Sequence, residues 1–167
     1  LLASFDENGN VTQFEYSGEQ RLLQVTNALG QVTHMTYDGN GNQLAVIDAG
    51  GFTSNFEYDA ENRLLATVNP LGHRISFVRD GAGRIISRSD QLGHQTQFEY
   101  NTLGQLIKTT QPDGSFTTNT YDLVGNQLTS TDSLGRTTTN TYDALDRLIQ
   151  TTDARGATSR IVLNGAG

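Results

Sequence analysis

The chain has 167 residues, 18 of them glycine and two proline, with a net charge of −7 and no cysteine. An acidic balance without a Lys/Arg cluster argues against a nucleic-acid-binding or anionic-membrane surface, and the missing cysteine excludes disulfides and thiolate metal sites. Six Tyr, seven Phe and abundant Thr, Val and Ile separate the chain from disordered sequences and favour strands.

Taken from the start, "LLASFDENGN" lacks an initiating methionine and shows no signal-peptide pattern, so it reads as cut from a longer protein. Asp6-x-x-Gly9 is the first turn signal. A run of alternating residues then reaches Tyr16, and the next turn signal follows at once. From here the chain repeats. Tyrosine marks Tyr16, Tyr37, Tyr58, Tyr100, Tyr121 and Tyr142, with Arg79 and Leu163 in the two slots that lack it, and every interval is 21 residues. Fourteen residues after each slot is a glycine: Gly9, Gly30, Gly51, Gly72, Gly93, Gly114, Gly135 and Gly156. Seven residues after each slot is Leu or Ile: Leu2, Leu23, Leu44, Leu65, Ile86, Ile107, Leu128 and Ile149. Chance does not produce this register, and the chain is read as a tandem array over residues 1–167, of about eight units, truncated at both ends.

Each unit carries two reversals. The first opens on Asp38, Asp59, Asp80, Asp122 or Asp143, directly after the marker, and the second ends on the invariant-slot glycine. Aspartate at the first position of a type I turn accepts a main-chain hydrogen bond from two residues on, and glycine at the fourth position tolerates the left-handed backbone of a bulged hairpin closure. About six residues lie between reversals, a strand of roughly 20 Å. In "TSNFEYD", Phe56 and Tyr58 share one strand face, as do Phe98 and Tyr100 in "TQFEYN". The six tyrosines and the Leu/Ile series are expected to form packing ladders between neighbouring strands. Some 16 strands at ~4.8 Å would give a sheet about 75 Å wide, which is expected to bend rather than lie flat. The expected fold class is therefore all-β: tandem 21-residue β-hairpin repeats in one curved, spiralling antiparallel sheet, a segment of a β-shell or solenoid.

Chemistry is sparse. His73 and His94 hold the same slot in adjacent units, but a metal needs a third ligand, and surface turn residues account for them and for His34. The recurring aspartates invite a calcium-solenoid reading, yet turn capping needs no ion. No G-x-S-x-G occurs, and "GNGN" and "GAG" are not phosphate loops. Arg74, Arg79, Arg84 and Arg88 make one locally basic unit, read as a solvated face that would also suit an acidic cargo. Phe56, Phe77 and Phe98 read as packing positions, with sugar stacking as the alternative. No catalytic, metal or cofactor residue is assigned.

"YDGNGNQL", "YDLVGNQLTSTDSLGRTTTNTYD" and "YDALDRLIQTTDARGATS" resemble the RHS repeats, also called YD repeats, of bacterial Rhs toxins, insecticidal toxin complex C subunits and teneurins. The resemblance covers essentially the whole chain. It implies a long β-sheet that spirals into a hollow shell and, in the bacterial members, encloses a C-terminal toxin. The plain turn chemistry and the missing cysteines resemble the bacterial members. Several positions depart from the pattern: Arg79 replaces tyrosine, Asn62 and Asp146 stand at first-turn glycine positions, and Asn119 and Asn140 replace the aromatic. Ser17 and Gln20 replace Asp and Gly, and that turn is expected to differ. The family's DPxGL-type cleavage motif is absent, so no autoproteolytic residue is carried over. The expected function is a wall segment of a shell that encapsulates a toxin polypeptide, without enzymatic activity. The alternative is a β-repeat module that binds cell-surface carbohydrate or protein. Expected partners are the toxin cargo, other parts of the same parent chain, further copies through exposed edge strands, and carbohydrate under the alternative. Neither nucleic acid nor a membrane span is expected. The parent is expected to be secreted, or delivered by a bacterial secretion system.

Overall fold

The structure is a computed structural model that describes residues 2–162; Leu163, one of the two marker slots without tyrosine, lies outside them. The described residues form sixteen strands and no helix. In chain order these are β1 (Leu2–Phe5), β2 (Val11–Tyr16), β3 (Leu22–Thr26), β4 (Val32–Tyr37), β5 (Gln43–Ile47), β6 (Thr53–Tyr58), β7 (Leu64–Val68) and β8 (Arg74–Arg79). There follow β9 (Ile85–Ser89), β10 (Gln95–Tyr100), β11 (Leu106–Thr110), β12 (Phe116–Tyr121), β13 (Gln127–Asp132), β14 (Thr137–Tyr142), β15 (Leu148–Thr152) and β16 (Thr158–Arg160). Strand order in the sheet is chain order, and the order does not close on itself. The chain divides into two compact units, Leu1–Val78 with Ser89–Gly93, and Arg79–Arg88 with His94–Gly167.

Every connection is the same turn. Twelve glycines, together with Gln20, Asn62 and Asp146, hold positive φ, one in each of the fifteen reversals. In each, the fourth residue donates its N–H to the first residue's carbonyl, as Gly30 does to Asn27 (2.9 Å) and Gly135 to Asp132 (2.9 Å). The first side chain locks the loop by accepting two more N–H groups. Asp6 Oδ1 takes those of Asn8 and Asn10, both at 2.9 Å, and Asn27 Oδ1 takes those of Leu29 and Gln31 at 3.0 and 2.9 Å. The Ser17 turn, expected to differ, does not: Ser17 Oγ accepts from Glu19 and Arg21 at 3.2 and 3.1 Å, and Gln20 adopts φ 60°. A hydroxyl reaches the same two donors as a carboxylate. Gln111 leads one turn, and there Asp113 Oδ1 takes the N–H of Ser115 instead (2.9 Å).

In the first unit, the hairpins closed just after tyrosine share one register. Between β2 and β3, Gln13 faces Thr26, Phe14 faces Val25, Glu15 faces Gln24, and Tyr16 faces Leu22. The shift between Glu15 and Tyr16 leaves Leu23 as an extra residue, a β-bulge. The same shift occurs between β4 and β5 and between β6 and β7, which makes Leu44 and Leu65 the extra residues. In the second unit it places Ile107, Leu128 and Ile149 at bulges. The pairings closed by the other turn, such as β3 with β4, carry no bulge.

There is one layer and no thick core. Ala66 is the only buried hydrophobic residue among the described residues, and no polar residue is buried. The Leu/Ile series is half-buried apart from Leu2, Leu44 and Ile86, which are 64%, 40% and 36% exposed. Cohesion therefore runs from strand to adjacent strand.

Position four of each turn should resist side chains while position two accepts them. Gly30 has φ +75° with open space where a Cβ would stand, so Gly30→Ala meets no clash and reads out backbone strain alone. It should cost about 1 kcal/mol, whereas Gly18→Ala, at a negative-φ position with equal space, should be neutral or mildly stabilising in urea unfolding.

Candidate functional site

The repeated tyrosine sits at the end of β2, β4, β6, β10, β12 and β14, just before the turn, while β8 ends on Arg79. There its hydroxyl reaches back to the preceding strand. Tyr37 donates to the Leu22 carbonyl (2.9 Å), Tyr100 to Ile85 (3.0 Å), Tyr121 to Leu106 (2.8 Å) and Tyr142 to Gln127 (3.0 Å). These carbonyls lie just past the last paired residues of their ladders. The β3–β4 ladder ends at Gln24 and His34, and the β11–β12 ladder at Lys108 and Thr118. The hydroxyl supplies the donor that the diverging strands no longer provide, a contact worth about 1 kcal/mol. Each accepting residue in the first strand of these ladders also faces, or stands in the slot that faces, the tyrosine of the unit before. One example is Leu22, which faces Tyr16.

Asn119 and Asn140 take part in the same clasp. Asn119 Nδ2 donates to the Leu106 carbonyl (3.1 Å) and Asn140 Nδ2 to the Gln127 carbonyl (3.0 Å), so each carbonyl receives an amide and a phenol. Their Oδ1 atoms are held in turn by Gln127 Nε2 (3.2 Å) and the Thr151 hydroxyl (3.0 Å). Where other units pack Phe14, Met35 or Phe56, these units substitute hydrogen bonds. Arg79, in a tyrosine slot, turns its Nη1 onto the Gly83 carbonyl (3.0 Å).

Five turn aspartates are favoured in the carboxylate form. The Asn10 amide on Asp6, the Asn42 amide on Asp38, and the guanidinium groups of Arg84, Arg136 and Arg147 on Asp80, Asp132 and Asp143 keep these groups below the ordinary 3.8. Main-chain N–H donors add to each, against a smaller opposing effect of desolvation.

Among the described residues no group of three or more His, Asp or Glu could hold a metal ion. His73 lies 3.4 Å from Asn69 Nδ2 within its own turn. Arg74 pairs with Glu57, and Arg84 pairs with Asp80 and stacks over the Tyr100 ring at 4.9 Å. Among the described residues no helix is long and apolar enough to cross a membrane.

A single sheet of identically closed hairpins, four of them clasped by a tyrosine hydroxyl to the strand beside them, defines a β-hairpin repeat protein of the solenoid class. The Teneurin YD-shell family model matches residues 3–154, and the chain belongs to that family. No curated protein matches the sequence. Among solved structures, TcdB2-TccC3 without its hypervariable C-terminal region is similar at 16% identity, over 93% of this chain and 10% of that one, with a TM-score of 0.73. TcdB2-TccC3-Cdc42 is similar at 21% identity over 86% and 9%, with a TM-score of 0.70. The Photorhabdus luminescens Tc holotoxin pore is similar at 14% identity over 88% and 12%, with a TM-score of 0.50. At these identities the likeness is one of fold, and this chain spans about a tenth of the solved chains. The role that goes with family and fold is structural: the chain is shell wall.

Two measurements address the site. Tyr121→Phe should lose about 1 kcal/mol, the worth of one neutral hydrogen bond, while Tyr58→Phe should be close to neutral, since among the described residues the Tyr58 hydroxyl has no partner. The depressed aspartates contribute stability that is complete above pH 3.8 and is lost as pH falls through their lower folded-state values. The urea midpoint should therefore fall as the solution is taken below about pH 4. An Asp6→Asn/Asp38→Asn variant should keep its turns, as Asn27 does, and show a shallower acid decline.

Proposed function

We propose that this array is part of the wall of a shell that encloses a toxin polypeptide until delivery, within a larger exported protein. The single observation that carries the reading is the one-layer architecture. A sheet whose strands are held chiefly by their neighbours can be extended repeat by repeat, and it encloses volume with the least chain. Its action is steric: the wall keeps proteases and solvent partners from a cargo held on its inner face, and it catalyses nothing. The turn tips support the reading. Leu29, Leu71 and Leu92 in the first unit, and Leu103, Leu134 and Leu145 in the second, are 71–84% exposed. Apolar residues presented at loop tips are the kind of surface that other parts of a parent shell would cover. Partners under this proposal are the cargo and those other parts. The outermost strands β1 and β16 are exposed throughout, and their open edges are suited to pairing with a further strand.

The test is limited proteolysis of the full-length protein that carries this array. The polypeptide it encloses should survive in the native protein and be digested once urea opens the sheet. Digestion of that polypeptide at the same rate in the native protein as after opening would refute encapsulation.

A further inference from the structure

The turns that follow tyrosine carry a second layer of contacts, between successive units. The fifth residue of such a turn reaches the fourth residue of the corresponding turn one unit on. Arg21 passes over Gly41, where an added Cβ would stand 3.2 Å from Nη2, and donates Nη1 to the Asp38 carbonyl (2.9 Å). Arg84 does the same over Gly104, at 3.5 Å from a Cβ there, and donates to the Asn101 carbonyl (3.3 Å). Gln105 lies against Gly125 at 3.6 Å. Where the fifth residue is the shorter asparagine, the fourth residue of the next turn is not glycine. Asn42 Nδ2 donates to Asn62 Oδ1 (2.7 Å), with Asn40 Nδ2 joining at 3.0 Å, and Asn126 Nδ2 donates to Asp146 Oδ1 (2.9 Å).

Two matched sets result. A long side chain stands before glycine and lies over it, and Arg21 and Arg84 bond the backbone beyond. Asparagine stands before Asn62 or Asp146 and bonds that side chain. Asn62 and Asp146 are two of the three residues that hold positive φ without being glycine, at 62° and 58°. A left-handed backbone disfavours any side chain, so their presence needs a compensating contact, and the asparagine of the preceding turn supplies it.

We propose that these pairs are a neighbour-selection code: position five of one hairpin determines which residue the next hairpin must carry at its left-handed position. The code goes beyond the wall reading and does not depend on what the wall encloses. It addresses a hazard specific to this sequence. With a strict 21-residue register, a hairpin that skips its neighbour and pairs one unit further on keeps its glycines, tyrosines and Leu/Ile positions aligned. Such a skip sets Asn42 against Gly83 rather than Asn62, and it sets Gln105 against Asp146. Each shift leaves a donor without its acceptor or a side chain under a longer one. The interaction surface of each hairpin therefore fits one class of following hairpin and rejects the other.

A two-background experiment on the intact chain tests this. Asp146→Gly relieves left-handed strain but removes the acceptor of Asn126. In the wild-type background the urea midpoint should fall by a few tenths molar, the size expected for one lost hydrogen bond. In an Asn126→Ala background the same substitution should raise the midpoint, because only the relief of strain remains. The Asn42 and Asn62 pair should repeat the reversal. The exchanged variant Arg21→Asn/Gly41→Asn should be more stable than Gly41→Asn alone. Midpoint shifts of the same sign in both backgrounds, at both pairs, would overturn the code.

Discussion

A sheet with no second layer has only its lateral neighbours to hold it. Among the described residues Ala66 is the one buried hydrophobic residue, and no central cluster ties distant parts of them together. Each strand must obtain from the strands beside it what a globular domain obtains from a core. The ladder hydrogen bonds supply most of this, but ladders end where strands diverge toward turns. The recurring tyrosine is placed at that weak point. From the end of one strand it delivers a hydroxyl to a carbonyl that the ladder no longer reaches, as Tyr121 does for Leu106 at 2.8 Å. Turn geometry and clasp depend on each other: the reversal directly after tyrosine fixes where the ring begins, and the accepting carbonyl lies beside the bulge that faces the tyrosine of the unit before, as Leu22 lies beside Leu23.

The repeat and its turns were legible because their constraint is local. A left-handed fourth residue and a short acceptor at the first position are demands of four consecutive residues, so they appear as Asp-x-x-Gly in one dimension. The bulges were less legible, although a signal was present. Leu22-Leu23, Leu64-Leu65 and Leu148-Ile149 place two apolar side chains in succession inside strands that otherwise alternate, which is what an extra residue requires. The clasp was not legible. Tyr37 and Leu22 are fifteen residues apart, and an aromatic in a strand reads as packing whether or not its hydroxyl is used. Asn119 and Asn140 read as a loss of apolar surface for the same reason, since the carbonyl they bond belongs to another strand. The Ser17 turn was misjudged because the pattern was taken to need a carboxylate. The backbone needs only an oxygen within reach of two N–H groups.

A wall is a reasonable use for such a structure on physical grounds. An enzyme site needs groups held from several directions around a point, with water excluded. A single layer offers side chains on two open faces, and many of its charged groups are engaged by their own turns or by pairs such as Arg74 with Glu57. What it offers instead is area at low cost in residues, and growth by addition of like units. Both are properties of an enclosing surface, and they accord with a chain that matches the Teneurin YD-shell family over residues 3–154.

Uniformity brings its own difficulty. The more alike the repeats, the smaller the energy gap between correct pairing and pairing displaced by one unit, and the worse the landscape for folding. Contacts common to all repeats, including the clasp and the turn glycines, cannot open that gap because a displaced hairpin makes them equally well. Only features that differ from unit to unit can. The rim of the first turns is where this chain differs most while its backbone stays the same: Arg21, Asn42, Arg84, Gln105 and Asn126 occupy one position, and Gly41, Asn62, Gly104, Gly125 and Asp146 answer them one unit on. The residues that break the repeat are thus as informative as those that make it. The constant positions specify that hairpins stack, and the variable ones specify the order in which they do so.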